Sequence, residues 1–224
     1  MDIKLNNVSK LFNPGKTNEY IAINNISLEI KKGEFVSIMG DSGSGKTTLL
    51  NLIGGLDLPN NGDIYIGNQK INDMSDFKLA KFRNENIGFV FQDYALIPYK
   101  TVEENMELPL YFSDISSKEH KKRISEQLEN VNMSAYKKSK VFHLSGGEKQ
   151  RVAIARSLVT DPQIVLADEP TGALDSNNSQ EIIALLKRIN DMGKTVVVVT
   201  HDIKVAEKCN RIIRLSDGTL DEKN

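Results

Sequence analysis

The chain has 224 residues, 39% of them hydrophobic and 26% charged, a composition that suits one globular domain with a core large enough to need no covalent staples. Lysine and arginine number 29 against 30 aspartates and glutamates, a formal net charge of −1 that argues against a nucleic-acid footprint. The single cysteine, Cys209, rules out an internal disulfide and fits a reducing compartment.

The opening MDIKLNNVSK has no apolar core, so no signal peptide is expected. Residues 3–5, 25–30 and 62–71 read as strands, the last folded at Gly67-Asn68 by a hairpin-type turn, and together they make the first third β-rich. Residues 34–39 form a strand that runs straight into a glycine-rich stretch. A helix through Leu49 and Ile53 should follow until Gly54-Gly55 ends it. Residues 87–91, 164–167 and 195–200 are three more short apolar strands. No apolar run approaches the ~18 residues of a membrane span, so the chain is not expected to cross a bilayer alone.

Helices lie between these strands. Ser116-x-x-Glu119 reads as a capping box for a helix through Met133. Residues 181–192 place Ile182, Leu185, Leu186 and Ile189 on one face, with Gly193 closing the helix. Such alternation predicts an α/β fold with a mostly parallel sheet covered by helices. From about Tyr94 to Thr160 the strand pattern disappears, which predicts one domain over 1–224 with its core at about 1–93 and 161–224 and an inserted helical lobe at about 94–160.

Gly40-Asp41-Ser42-Gly43-Ser44-Gly45-Lys46-Thr47 matches G-x-x-x-x-G-K-[ST] in the required strand–loop–helix setting. Gly40, Gly43 and Gly45 let the backbone approach phosphates closely, and the N–H groups ahead of a helix form a nest for negative oxygen. Lys46 is the candidate for neutralising the β- and γ-phosphates and Thr47 for holding Mg²⁺, with Ser42, Ser44 and Thr48 as further nucleotide contacts. Residues 164–167 form a strand ending in Asp168-Glu169. The first carboxylate suits a Mg²⁺ shell and the second suits deprotonating or orienting an attacking water. Leu144-Ser145-Gly146-Gly147-Glu148 opens a helix, offering a hydroxyl and free N–H donors to an anion.

With Asp175 shortly after the paired carboxylates and His201 at the end of TVVVVT, this ordered set resembles ABC ATPases from residue 2 to 219. The resemblance implies a P-loop NTPase fold: a RecA-like core, an N-terminal antiparallel β subdomain and an inserted α-helical subdomain. It implies ATP and Mg²⁺, with Gln92 as the loop glutamine on the metal and His201 on the γ-phosphate. Phe12 matches the aromatic that stacks on adenine, core packing being the other reading of that residue. It also implies that Ser145, Gly146, Gly147 and Glu148 close over ATP held by a second copy, in an ATP-dependent homodimer whose two sites are linked by Asp175.

The segments IGFVFQDYALIPYKTVEENMELPL and LADEPTGALDS look like the branch of lipoprotein-releasing, macrolide- or peptide-exporting and bacitracin-resistance ATPases. Members of that branch pair with a permease on a separate chain, which places the chain on the cytoplasmic face of the cell membrane through that partner alone. The apolar residues of 94–99 and 108–112 are expected either to pack within the helical lobe or to form a groove that receives a short permease helix, and the basic run at 117–123 to be a solvated helix face. A sensing or force-transmitting role without solute movement, and an importer role, are the alternatives. Long coiled-coil insertions or a second cassette, the marks of relatives in nucleic-acid maintenance, are not seen. The chain's end at Asn224 suggests that no regulatory domain follows.

Overall fold

The computed structural model describes residues 1–221, so the end of the chain at Asn224 lies outside the described residues. Its first sheet is antiparallel. Strand β1 (Ile3–Phe12) lies between β2 (Tyr20–Ile30) and β4 (Asn61–Ile66), with β5 (Gln69–Lys70) at the edge. Both β1 and β2 run longer than the alternation at 3–5 and 25–30 announces. The ladder shifts register between Leu5 and Val8, between Val8 and Lys10 and between Lys10 and Leu11. Asn7 and Asn25 sit in the left-handed region within this pair, and their side chains hydrogen-bond at 3.1 Å. Irregularities of this kind break the period-2 signal while the pairing continues.

The second sheet has the order β10-β9-β3-β8-β7-β6, formed by β3 (Phe35–Met39), β6 (Ile87–Val90), β7 (Ile164–Asp168), β8 (Thr195–Thr200), β9 (Arg211–Ser216) and β10 (Thr219–Leu220). All its pairings are parallel except the β9–β10 hairpin, which turns at Asp217-Gly218 and has no counterpart in the sequence reading. Every residue of β8 is buried, as the central strand of a sheet covered on both faces must be. Its alternate side chains divide the core: Val197 and Val199 pack with the antiparallel sheet, while Val196 and Val198 pack towards the later helices.

Among the described residues seven α-helices surround the sheets: α1 (Lys46–Ile53), α2 (Asp76–Asn86), α3 (Val102–Glu107), α4 (Ser117–Asn130), α5 (Gly146–Leu158), α6 (Ser176–Asp191) and α7 (Ile203–Ala206). Helix α2 buries only Leu79 and Phe82 and carries no apolar stripe, so pattern alone does not announce it. Helices α3, α4 and α5 occupy the stretch where strand pattern is lacking, and Met106, Ile124, Leu128 and Val152 join in one cluster there.

Helix ends correct two expectations. Ser116 does cap α4, but through its backbone carbonyl, which accepts from Glu119 N at 2.8 Å; its side chain makes no capping bond, and α4 ends at Asn130 rather than Met133. Helix α6 starts at Ser176, ahead of the expected 181, because Asp175 accepts from the N–H groups of Asn177 and Asn178. Reciprocal capping boxes form instead at Thr101–Glu104 on α3 and Ser145–Glu148 on α5.

Candidate nucleotide site

Strand β3 feeds Gly40, and the chain wraps through Gly43 and Gly45 into α1. Gly45 caps α1 in the left-handed region at φ 100°, and a Cβ there would come within 2.4 Å of the Ala22 carbonyl oxygen. A Cβ on Gly40 would meet the Leu215 carbonyl at 2.1 Å. On the far side, Gly218 N donates to Ser44 O at 3.0 Å and Gly218 O accepts from Asn24 N at 2.8 Å. The loop is therefore wedged between β2 and the β9–β10 turn, with its shape set by backbone on both sides. Gly43 and Ser42 face solvent, and Thr48 is half-buried on the first turn of α1.

The buried Lys46 ammonium folds over this loop, donating to Gly40 O at 2.7 Å and Asp41 O at 2.6 Å. Ser44 Oγ is buried and has no hydrogen-bond partner among the described residues. A buried orphan hydroxyl in a turn rich in N–H donors is a place where an anion oxygen completes the bonding.

Asp168 at the end of β7 accepts from Thr47 Oγ1 at 3.2 Å, which joins the loop to the central sheet. Burial pushes its carboxyl above the ordinary range and the Glu169 charge pushes the same way, against the Thr47 hydrogen bond and the Lys46 charge. Glu169 lies one residue beyond, in the left-handed region at φ 43°, a strained setting for a glutamate. Its Oε1 accepts from His201 N at 3.1 Å and from His201 Nδ1 at 2.7 Å. In neutral His201 that bond places the proton on Nδ1 and leaves Nε2 on the solvent side, where 68% of the side chain is exposed. Parallel pairing of β7 with β8 makes this contact, because Asp168 lies opposite Val199. Gln92, exposed just past β6, lies against the same turn: a Cβ on Gly172 would come 3.0 Å from its Nε2.

The segment Leu144-Ser145-Gly146-Gly147-Glu148, the signature of the family it resembles, is capped within the chain at the start of α5. Glu148 Oε2 accepts from Ser145 N and Ser145 Oγ, each at 2.8 Å, while Ser145 Oγ accepts from Glu148 N at 3.4 Å. These bonds, the Ser145 N–H first and then the Tyr136 and Ser145 hydroxyls, hold the Glu148 carboxyl below its ordinary range. Gly147 packs so closely on α6 that a Cβ would meet Asn178 Oδ1 at 2.4 Å. Asn178 Nδ2 in turn donates to Asp175 Oδ2 at 2.6 Å. Asp175 thus caps α6 and ties it to the start of α5 in one chain. Among the described residues no hydrogen bond joins Ser145, Gly146 or Gly147 to Lys46, Thr47, Asp168, Glu169 or His201.

Phe12 is half-buried at the end of β1 and lies outside both core clusters. It stacks on Tyr20, a residue that strand pattern did not single out because β2 begins earlier than its alternation. Two further residues escaped sequence reading. Asn178 could have been found three residues after a helix-capping aspartate. Arg156 donates to Tyr94 O at 3.0 Å and also to Ala95 O, holding two consecutive left-handed residues just after Gln92. Of the apolar segment at 108–112, Pro109, Tyr111 and Phe112 line a groove of about 840 Å³ with Leu56, Phe77, Phe89, Phe91 and Arg156, while Leu110 is buried in the core. The segment at 94–99 does not line it.

Residues 23–172 match the family model described as ABC transporter. The chain is 52% identical to the ABC transporter ATP-binding protein MJ0796 of Methanocaldococcus jannaschii over 99% of its own length and 96% of that protein. The dimeric structure of that cassette superposes with a TM-score of 0.89, covering 98% of this chain and 97% of the other, and a second MJ0796 dimer holds ADP and Pi in a post-hydrolysis state. Identity to the lipoprotein-releasing system ATP-binding protein LolD of Francisella tularensis is 47%, covering 96% of this chain and 94% of LolD. The macrolide export ATP-binding/permease protein MacB of Escherichia coli is 44% identical over 97% of this chain, which matches 34% of that longer protein.

Proposed function

The chain belongs to the ABC transporter family, and from that premise we propose that it is the ATP-hydrolysing subunit of a transporter, acting as an ATP-bridged homodimer that drives a permease on a separate chain. The observation that carries this reading is the division of the site. Within one chain Thr47 is bonded to Asp168 and Glu169 to His201, with Lys46 beside Thr47 on the loop, whereas Ser145, Gly146 and Gly147 form a capped helix start with no hydrogen bond to any of them among the described residues. A second copy, turned head to tail, brings its Ser145 hydroxyl and its free helix-start N–H groups to the γ-phosphate of the first.

The Thr47 hydroxyl and Asp168 carboxylate are hard oxygen donors already paired at 3.2 Å, so the residues fit Mg²⁺, with Gln92 as a third ligand. Mg²⁺ bound there supplies charge neutralisation on the phosphates. Lys46 leaves the Gly40 and Asp41 carbonyls for the β- and γ-phosphates, and Ser44 Oγ meets a phosphate oxygen. Glu169 takes the proton of the attacking water, while His201 steadies its other oxygen through the bond at 2.7 Å. Positioning and charge, rather than covalent chemistry, carry the step.

Phe77 and Phe112 are 80% and 76% exposed at the rim of the 840 Å³ groove, an apolar surface suited to a short amphipathic permease helix. Among the described residues no helix is long and apolar enough to cross a membrane, so attachment to the inner face of the membrane would come through that partner. The names of LolD and MacB support export or extraction of a lipoprotein, peptide or drug-like substrate as the working assignment.

The test is phosphate release by the purified chain with Mg²⁺ and ATP, followed against protein concentration. A rate that rises with the square of concentration is expected of a site completed by two copies. First-order dependence, or no phosphate release, would sink the proposal. Recovery of the chain in the membrane fraction only when its permease is co-expressed tests the partner.

A further inference from the structure

A nucleotide is held by its base as well as its phosphates, and the edge of the antiparallel sheet carries more aromatic surface than Phe12 alone. Phe12 ends β1 and Tyr20 begins β2, and the two pair directly across the ladder. Their rings stack with centroids 5.2 Å apart and planes 21° from parallel. Lys10 sets its ammonium 5.1 Å from the centre of the Phe12 ring and is tied down by Asp57 Oδ1 at 2.6 Å and Leu58 O at 2.9 Å. Asp57 and Leu58 lead into β4, which flanks β1 on the side away from β2. Lys10 and Tyr20 therefore close on Phe12 from opposite flanks. Phe12 is fixed in place by both, whereas Tyr20 keeps 55% of its surface exposed.

The pair is also anchored to the phosphate loop. Ala22, two residues further along β2, presses its carbonyl against Gly45, where a Cβ would come within 2.4 Å. Two residues of strand cover about 6.8 Å, so Tyr20 lies one side-chain repeat along β2 from the residue that touches the loop. An exposed aromatic face already stacked on a second ring is suited to take a third planar π-system.

We propose that the base of the bound nucleotide rests on a two-ring shelf, with Phe12 as the fixed member and Tyr20 as the exposed one, which makes Tyr20 a second base-stacking residue. This deepens the proposed ATP site and rests on that reading. The experiment is calorimetric titration of the wild-type chain, Tyr20→Ala, Tyr20→Phe and Phe12→Leu with ATP and with inorganic tripolyphosphate. Tyr20→Ala is expected to weaken ATP by about 2- to 12-fold, the range of one aromatic stack. Tripolyphosphate binding should be unchanged, and Tyr20→Phe should restore ATP affinity. If Tyr20→Ala binds ATP as the wild type does, or loses tripolyphosphate in the same proportion, the shelf is wrong while the ATP site stands. A wild-type chain that binds no ATP overturns both.

Discussion

The phosphate-loop half of the site and the signature half meet their bonding needs in opposite ways. In the first, the Lys46 ammonium rests on two backbone carbonyls, Ser44 Oγ has no partner among the described residues, and Glu169 is held in the left-handed region. In the second, Ser145 and Glu148 cap each other, and Asp175 accepts two backbone N–H groups and the Asn178 amide. The left-handed Glu169 and the unpartnered Ser44 hydroxyl lie where the ligand's charge arrives, while the start of the opposing helix is capped in advance. Gln150, one turn along that helix, is nevertheless buried with its amide unpartnered among the described residues. A helix start whose cap is already formed has less to order on docking, which suits a contact that must form and break at each turnover.

The largest expected effect breaks the comparison at its strained end. Gly45→Ala forces a Cβ into a left-handed residue and to within 2.4 Å of the Ala22 carbonyl, which cannot move without moving β2. ATP binding by the nucleotide-free chain should be lost in calorimetry; retained affinity would mean that the loop is looser than its contacts suggest. Next comes Glu169→Gln, which keeps the shape and removes the base. Hydrolysis should fall by at least ~100-fold, the lower end for loss of a general base, with ATP binding kept and an ATP-stabilised dimer visible by size exclusion. Hydrolysis at the wild-type rate would remove Glu169 from its assigned role.

At the finished end a smaller change is expected. Ser145→Ala removes the side chain that accepts from Glu148 N, a helix-cap loss of about 1 kcal/mol that lowers Tm by roughly 2–4 °C in a chain of this size. Its ATP affinity as a monomer should match the wild type, while the Glu169→Gln, Ser145→Ala double variant should no longer dimerise with ATP. A dimer that survives would place the signature away from the shared nucleotide.

Legibility in the sequence followed the same division. The phosphate loop, the strand leading into it and the strand ending in Asp168-Glu169 were readable because each is a local pattern fixed by backbone demands. The Glu169–His201 bond spans 32 positions and exists only because β7 and β8 are neighbours, so spacing could nominate the two residues but not join them. Helix α2 was missed because it buries too little to leave a stripe, and the length of β1 because its bulges interrupt the alternation. The Ser116 capping box was misread because S-x-x-E states a possibility, whereas the side-chain bonds formed at Thr101 and Ser145. Tyr20 beside Phe12 needed the ladder register, which no motif encodes.

The smallest expected effect sharpens the comparison most, because the two halves shift a carboxyl in opposite directions. Glu148, held below its ordinary value of 4.5 by hydrogen bonds from Ser145 and Tyr136, favours folding when ionised. Its stabilisation is present above pH 4.5 and is lost as the pH falls through the lower folded value. Asp168, held above its ordinary value of 3.8 chiefly by burial, favours folding when protonated. Its contribution is present below pH 3.8 and is lost as the pH rises through the higher folded value. Melting temperatures of Glu148→Gln and Asp168→Asn, measured against the wild type from pH 7 downwards without nucleotide, should therefore diverge in sign. Glu148→Gln should melt lower than the wild type at pH 7, with the gap closing in acid. Asp168→Asn should melt higher at pH 7, because it removes a half-buried charge while keeping an oxygen for Thr47, and that advantage should also fade in acid. Shifts on the order of 1–2 °C are expected, since both groups are partly screened by solvent. Two variants that move in the same direction at pH 7 would mean that the halves do not store and satisfy charge in the opposite ways their contacts indicate.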